Sequence, residues 1–147
     1  MVMNFTGWDK RGRPITYMDL KKIDTKIVDN FTVDDIWRYA FRIYEIDLHI
    51  IYPYMTLLTR KRIEDDVLIL NLNGFDTKSL KESMTKPIVK KILKIFSKMS
   101  SDFYPGSTTE TYVINCPPSF LETWDIVKIF YIERRHWRDY ETCFQQQ

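Results

Sequence analysis

Apolar residues along this chain recur in patterns that predict strands alternating with helices. After the charged turn that ends at Pro14, Ile15 to Met18 alternates apolar and polar side chains as a strand does. Residues 67–72 form a near-continuous apolar run between two aspartates and an Asn-Gly turn, which is typical of a central strand buried on both faces. A second buried run, Tyr112 to Asn115, ends before two prolines.

Three helices are predicted between and after these strands. Thr32 begins the first helix, Asp35 completes its capping box, and apolar residues recur with the helical period as far as Leu48. Pro53 is expected to end or kink this helix. The second helix runs from about Pro87 to about Met99, and a third follows the last strand. The order strand–helix–strand–helix–strand–helix predicts an α/β fold.

Composition limits the class of protein. The 147 residues suit one domain, and 44% hydrophobic with 29% charged residues is ordinary for a soluble chain. Nine Phe, nine Tyr and four Trp build either a dense core or a wall around an apolar ligand. The net charge of +2 is too small to indicate a nucleic-acid partner. Two cysteines and no signal peptide favour a reduced, cytoplasmic chain.

Catalytic motifs are missing from the sequence. It has no Gly-x-Ser-x-Gly elbow, no phosphate-binding Gly-x-x-x-x-Gly-Lys loop and no glycine-rich dinucleotide loop. His49 and His136 are too few for a histidine-based triad or a zinc site, and Cys116 fits a small buried residue better than a nucleophile. Asp65 and Asp66 are adjacent, so they diverge on a strand and are interpreted as turn polarity. We therefore expect no enzyme, cofactor or metal.

Two basic segments have alternative interpretations. Lys90, Lys94 and Lys98 are spaced by four, so they form a ridge that is either a solvated helix face or a contact for anionic lipid or RNA. A cluster near the C-terminus mixes arginine and tryptophan as membrane-interface segments do, but a partner protein would fit it equally. The predicted membrane or partner contacts are Arg134, Arg135, Trp137 and Arg138.

Several segments in order resemble the CRAL-TRIO family, whose best-known members are the yeast-type phosphatidylinositol transfer proteins. Gly7 to Pro14 resembles the family's Gly-x-Asp-Lys-x-Gly-Arg-Pro motif. Residues 67–75 resemble its apolar strand ending in Asp-Leu-x-Gly, with Asn71 in the place of the Asp. Asp102 to Pro105 is similar to the family's Asp/Asn-x-Tyr-Pro-Glu, with Gly106 replacing the Glu.

The resemblance continues through Tyr112 to Pro117, which matches Tyr-x-Ile-Asn-Ala-Pro, and it covers about residues 7 to 132. It implies a mixed sheet as the floor of a pocket, helices as its walls, and a phospholipid held inside. We accordingly expect a lipid-binding domain over 1–132 and a basic, aromatic tail over 133–147. The predicted lipid-binding residues are Tyr39, which follows a tryptophan as in the family's Trp-x-Tyr, together with Tyr44, Phe120, Trp124 and Arg13.

Departures from the family pattern leave two hypotheses open. The family's late strands and gating helix look absent, and its headgroup-facing hydroxyls are replaced by Leu121 and Glu122. In one hypothesis the chain binds and transfers phospholipid, with transient contact to a membrane. In the other it is a degenerate domain that serves as an interaction or assembly subunit. In both, an uncovered sheet edge is expected to meet a protein partner, a second copy, a membrane or the tail. For Arg13, pairing with a carboxylate and pairing with an anionic headgroup are both open.

Overall fold

A four-stranded mixed sheet forms the centre of the molecule. The structure, a computed structural model, describes residues 3–22, 30–74 and 77–117. The strands are β1 (Met3–Trp8), β2 (Pro14–Asp19), β3 (Asp66–Asn71) and β4 (Thr108–Ile114). They lie side by side in chain order, with β1 antiparallel to β2 and the other neighbours parallel. The predicted α/β fold with a mixed sheet is confirmed.

Strands β1 and β2 form a hairpin that the sequence did not predict, because β1 was not recognised as a strand. A bulge between Phe5 and Gly7 interrupts the pairing of the two strands. The connecting turn is closed by the Gly12 N–H, which donates to the Asp9 carbonyl at 3.0 Å. Gly12 has φ +93°, and a Cβ placed on it would lie 2.7 Å from the Thr59 Cγ2. Glycine is therefore required here both for backbone conformation and for close contact with a helix.

The first long helix of the prediction consists of three parts. Helix α1 (Val33–Ile46) begins at Thr32 with the predicted capping box. A π-helical turn (Asp47–Ile51) follows, in which the Tyr52 N–H donates to the Asp47 carbonyl five residues earlier, and α2 (Tyr52–Thr59) continues the chain. The helix does not end at Pro53, since α2 continues to Thr59, and the regular α-helical form is interrupted directly before this residue. Pro53 lies in the first turn of α2, where a missing N–H costs little.

Two further helices precede β4. The predicted helix from Pro87 is confirmed as α4 (Pro87–Lys98), and a shorter α3 (Thr77–Thr85), which was not predicted, comes before it. A second π-helical turn (Met99–Phe103) extends α4, and here the Tyr104 N–H donates to the Met99 carbonyl at 2.9 Å. The chain therefore carries two π-helical turns, one after each long helix, within the described residues.

The helices pack on one another and, through α3, against the ends of the strands. Ile36 and Ala40 of α1 meet Ile95 and Met99 at the end of α4, and all four are almost fully buried. On the sheet, Leu72 packs with Leu20, Met84, Val113 and Cys116, which joins α3 to the ends of the strands. Cys116 is thus a half-buried packing residue, as expected. The third predicted helix and the tail fall in 118–147, outside the described residues.

Candidate functional site

A cleft of about 210 Å³ opens between the two π-helical turns. Leu48 belongs to the first turn and Phe103 to the second, so both helix distortions contribute to its wall. Such turns widen a helix locally and are frequent at functional sites. The cleft is lined by Tyr44, Leu48, Tyr52, Glu64, Phe103, Tyr104, Pro105 and Ser107.

Stacked aromatic rings form the apolar wall of the cleft. The rings of Tyr44 and Tyr104 are nearly parallel, at 7°, with centroids 4.7 Å apart. Phe41 and Phe103 extend this wall, with T-shaped contacts of 5.7 Å to each other and 6.4 Å from Phe41 to Tyr104. Ring pairs in these arrangements fix one another's orientation. The wall is therefore built from α1 and the second π-helical turn together.

Polar groups at the rim hold the aromatic wall in place. The Tyr104 hydroxyl donates a hydrogen bond to the Glu45 carboxylate, and Glu45 also lies 3.0 Å from the Nε2 of His49. Partial burial and the bond to Glu45 raise the pKa of Tyr104 to about 12. His49 is exposed on the first π-helical turn. These contacts hold Tyr104, which belongs to the apolar wall, through its hydroxyl group.

A buried polar group lies behind the floor of the cleft. The Tyr52 hydroxyl and the Asp66 N–H both donate to the Ser107 carbonyl, at 2.9 Å and 2.8 Å. Asp66 is only 6% exposed, and its Oδ2 accepts from the Thr16 hydroxyl at 3.2 Å. Among the described residues, its Oδ1 and the Ser107 Oγ have no hydrogen-bond partner. The interpretation of Asp66 as turn polarity was therefore wrong, because it begins a buried strand.

Two carboxyl groups at this end of the sheet have pKa values close to neutrality. Burial raises the pKa of Asp66 to about 6, against the hydrogen bonds from the Thr108 and Thr16 hydroxyls. Burial also raises the pKa of Asp47, in the first π-helical turn, to about 7, and the nearby charge of Asp66 adds to the shift. Desolvation disfavours the charged form of a carboxyl group. The first π-helical turn thus faces the sheet with an acid that is partly protonated near pH 7.

Arg13 lies in a separate cluster at the start of β2. Its Nε and Nη2 donate to Asp9 Oδ2 at 2.9 Å and 2.8 Å, and Nη2 also contacts Glu110 Oε1 at 2.9 Å. Nη1 donates to the Thr109 hydroxyl at 2.8 Å and lies 3.5 Å from Asp65 Oδ2. All three nitrogens of the guanidinium therefore meet protein acceptors, and the contact to Asp65 is the longest of them. Of the two alternatives for Arg13, the geometry favours pairing with carboxylates over pairing with a headgroup.

Asn71, where the resembling family usually has Asp, joins three strands. Its Nδ2 donates to the Tyr17 hydroxyl at 2.6 Å, and its Oδ1 accepts from Asn115 Nδ2 at 2.8 Å. The same Oδ1 accepts from the Asn73 N–H at 3.0 Å. An amide can donate and accept at once, which an ionised carboxylate cannot. The replacement therefore ties the carboxyl ends of β2, β3 and β4 together.

The predicted lipid-binding residues are only partly brought together. Tyr44 lines the cleft, whereas Tyr39 is 39% exposed and absent from the lining. Tyr44 follows Tyr39 by five positions in the helix, which turns their side chains about 140° apart. The remaining predicted contacts lie outside the described residues, so the cavity predicted around Tyr39 stays a prediction. These residues are Phe120, Trp124, Arg134, Arg135, Trp137 and Arg138.

Sequence reasoning missed most of the cleft lining. Phe103 and Tyr104 stood in a segment noticed only for its resemblance to a family motif, and Leu48 was assigned to a helix stripe. The apolar spacing that signalled α1 gave no sign of a π-helical turn, because that turn depends on packing between distant segments.

No group of three or more His, Cys, Asp or Glu suited to a metal occurs among the described residues. In the same part of the chain, every helix is too short or too polar to cross a bilayer.

Comparison with known proteins agrees with this fold. The model of the CRAL/TRIO domain matches residues 2–134. The chain belongs to the CRAL/TRIO domain family. The crystal structure of Sfh5 superposes with a TM-score of 0.67 at 16% identity, covering 96% of this chain and 46% of that one. That likeness concerns the fold alone.

Similar sequences in Arabidopsis thaliana carry names that describe lipid transfer. The chain is 28% identical over 127 residues to phosphatidylinositol/phosphatidylcholine transfer protein SFH7, and 26% identical over 127 residues to SFH4 of the same description. Each match covers 86% of this chain, but only 22% and 20% of those relatives. This CRAL/TRIO chain thus spans about a fifth of the proteins it resembles. They are named as transfer proteins and not as enzymes.

Proposed function

We propose that this chain binds a phospholipid of the phosphatidylinositol type and transfers it between membranes, acting in the cytoplasm with transient membrane contact. The single observation that carries the proposal is the amphipathic cleft between the π-helical turns. Stacked tyrosines and Leu48 give it an apolar wall suited to an acyl chain, at about 0.8 kcal/mol per buried methylene. Tyr52, Ser107 and Glu64 give it a polar side. Membership of the CRAL/TRIO family and the names of the relatives support the same function.

The size of the cleft favours a second candidate. Pockets that enclose drug-sized ligands measure about 300–1,000 Å³, and this cleft of about 210 Å³ is smaller than that range. A whole phospholipid would therefore need further space beyond the cleft. The second candidate is a CRAL/TRIO domain that serves as an interaction or assembly subunit without lipid transfer.

Filling the cleft separates the two candidates. Leu48 is 45% exposed, so Leu48→Trp should fold normally while it occupies the space in front of the tyrosine pair. If the chain binds lipid in the cleft, native mass spectrometry of protein purified from cells should show phospholipid on the wild type and several-fold less on this variant. Val33→Trp, at a similarly exposed position that does not line the cleft, is the matched control and should keep the lipid. Purified wild type without lipid would favour the assembly subunit.

A further inference from the structure

One side of helix α2 is apolar and faces solvent. The other side of the helix, with Tyr52 and Met55, is almost fully buried. Residues spaced by three or four share a helix face. Four large apolar residues at such spacings face solvent, and the most exposed of them reaches 80%. They are Ile50, in the π-helical turn that precedes α2, and Tyr54, Leu57 and Leu58 of α2 itself. A helix that is apolar all round normally has a partner on both sides.

Basic residues surround one end of this apolar side. Arg60, Lys61 and Arg62 follow α2 directly and are exposed. The close approach of Gly12 to Thr59 brings the β1–β2 turn to the same end of the helix. That turn adds Lys10 and Arg11, both exposed, beside the exposed Trp8. Five cationic side chains therefore lie at this end of the helix. Glu64 pairs with one of them, Arg62, and Arg11 lies 3.6 Å from Glu110.

We propose that this α2 docking surface, the apolar side of α2 with the basic residues at its end, binds the surface of an anionic lipid bilayer. Apolar helix faces with cationic borders lie in the bilayer interface, and Trp and Tyr are enriched at that depth. Charge complementarity favours this partner, because Lys10, Arg60 and Lys61, which form no ion pair within the described residues, can meet the negative headgroups of such a membrane. The inference deepens the proposed function, on which it rests, since a lipid carrier must meet a bilayer. The four side chains of the apolar stripe do not line the cleft.

Removing positive charge from the docking surface should weaken the binding of the protein to anionic vesicles. Each basic residue near an anionic surface contributes about a fivefold factor in partition coefficient. Lys10→Gln with Lys61→Gln should therefore lower partitioning onto phosphatidylcholine vesicles that contain phosphatidylserine by about 25-fold. Raising the salt concentration should reduce wild-type binding in the same assay, because salt screens exposed charges. Leu57→Ser should weaken binding further by removing an inserted side chain, and its exposure makes misfolding no concern.

Matched controls carry the same changes elsewhere on the surface. Lys90→Gln with Lys94→Gln removes the same charge from exposed positions on α4, so the net charge of the two double variants is equal. Val33→Ser removes an exposed apolar side chain at the start of α1. Both controls should bind vesicles within about twofold of the wild type if the docking surface is the α2 surface.

Three outcomes would overturn the docking surface. Equal losses in the Lys10/Lys61 and Lys90/Lys94 double variants would show a general charge effect. Unchanged binding by Leu57→Ser would show that the helix does not enter the interface. A wild type that ignores anionic vesicles but loses a protein partner on Leu57→Ser would assign the surface to that partner.

Lipid content, measured by native mass spectrometry on the same preparations, separates this inference from the proposed function. Docking variants should keep bound phospholipid, whereas Leu48→Trp should lose it and still bind vesicles. Vesicle binding that requires Lys10, Lys61 and Leu57 in a protein without bound lipid would uphold the docking surface and reject lipid carriage. Bound lipid in a protein whose vesicle binding does not depend on these residues would uphold lipid carriage and reject the docking surface.

Discussion

Replacing Arg13 by glutamine should strongly destabilise the protein, because the arginine is the centre of a nearly buried ionic cluster. Its side chain is 9% exposed, and it contacts Asp9, Glu110 and Asp65 together with the Thr109 hydroxyl. Although burial opposes the charge, the bonds to Asp9 and Glu110 raise the pKa of Arg13, so the cation is held firmly. Removing one member of a buried ion pair costs about 3–5 kcal/mol.

The partners of Arg13 reduce that cost, since water reaches them. The side chains of Asp9 and Glu110 are 21% and 26% exposed, so part of their charge would be solvated in the variant. We therefore expect Arg13→Gln to lower the free energy of unfolding by about 2–4 kcal/mol, measured by urea denaturation at pH 7. Arg11→Gln is the matched control, because Arg11 is 75% exposed and only 3.6 Å from the same Glu110. Its expected loss is below about 0.5 kcal/mol.

A headgroup role for Arg13 makes the opposite prediction. In that case Arg13→Gln would lower the lipid content of the purified protein, while the free energy of unfolding measured with urea stayed within about 0.5 kcal/mol of the wild type. Such a result would refute the assignment of Arg13 to the ionic cluster. Equal losses for Arg11→Gln and Arg13→Gln would refute it as well, since the argument depends on the difference in burial.

Two further predictions concern pH and backbone strain. The folded pKa values of Asp47 and Asp66, about 7 and about 6, lie above the ordinary 3.8, so their contribution to stability is complete below about pH 4 and is lost as the pH rises through 6 and 7. The free energy of unfolding should therefore fall as the pH rises from about 4 to 7, and Asp47→Asn should make its decrease with pH smaller. A variant with the same pH dependence as the wild type would contradict the burial of this pair. Gly12→Ala should destabilise the protein by about 2–3 kcal/mol, through its positive φ and its contact with Thr59. Gly106→Ala, with φ +82° and no atom near its Cβ, should cost about 1 kcal/mol, and equal losses for both would exclude the clash.

Local patterns predicted the parts of the fold that depend on local physics. The alternation at Ile15 to Met18 and the apolar run from Val67 placed β2 and β3, and Thr32 with Asp35 placed the start of α1 within one residue. Strand β1 was not predicted, because its bulge and Gly7 break the alternation of apolar and polar residues that marks a strand. Its pairing with β2 is decided by the turn, which sequence periodicity does not describe.

The candidate site was harder to predict because distant segments build it. Tyr44 and Tyr104 are sixty residues apart in the chain and meet only when α1 packs on α4. Asp66 was interpreted as turn polarity because its side chain diverges from that of the adjacent Asp65, and only strand pairing shows that it is buried. For Arg13 the sequence left pairing with a carboxylate and pairing with a headgroup both open, because the identity of its partners depends on the sheet.

The first π-helical turn also fixes which changes in chain length the molecule can accept. Its wider ring holds one residue more than an α-helical turn, as the bond from Tyr52 to Asp47 shows. Because the wider turn absorbs that extra residue, deleting one exposed residue there, such as His49, would leave an ordinary α-helical turn and keep α2 near its present orientation. A single deletion inside α1 would instead turn the buried face of that helix by about 100° relative to α2, so that Ile36 and Met55 could no longer both lie in the core. Single-residue deletions in the π-helical turn should therefore be far less damaging than single-residue deletions inside α1.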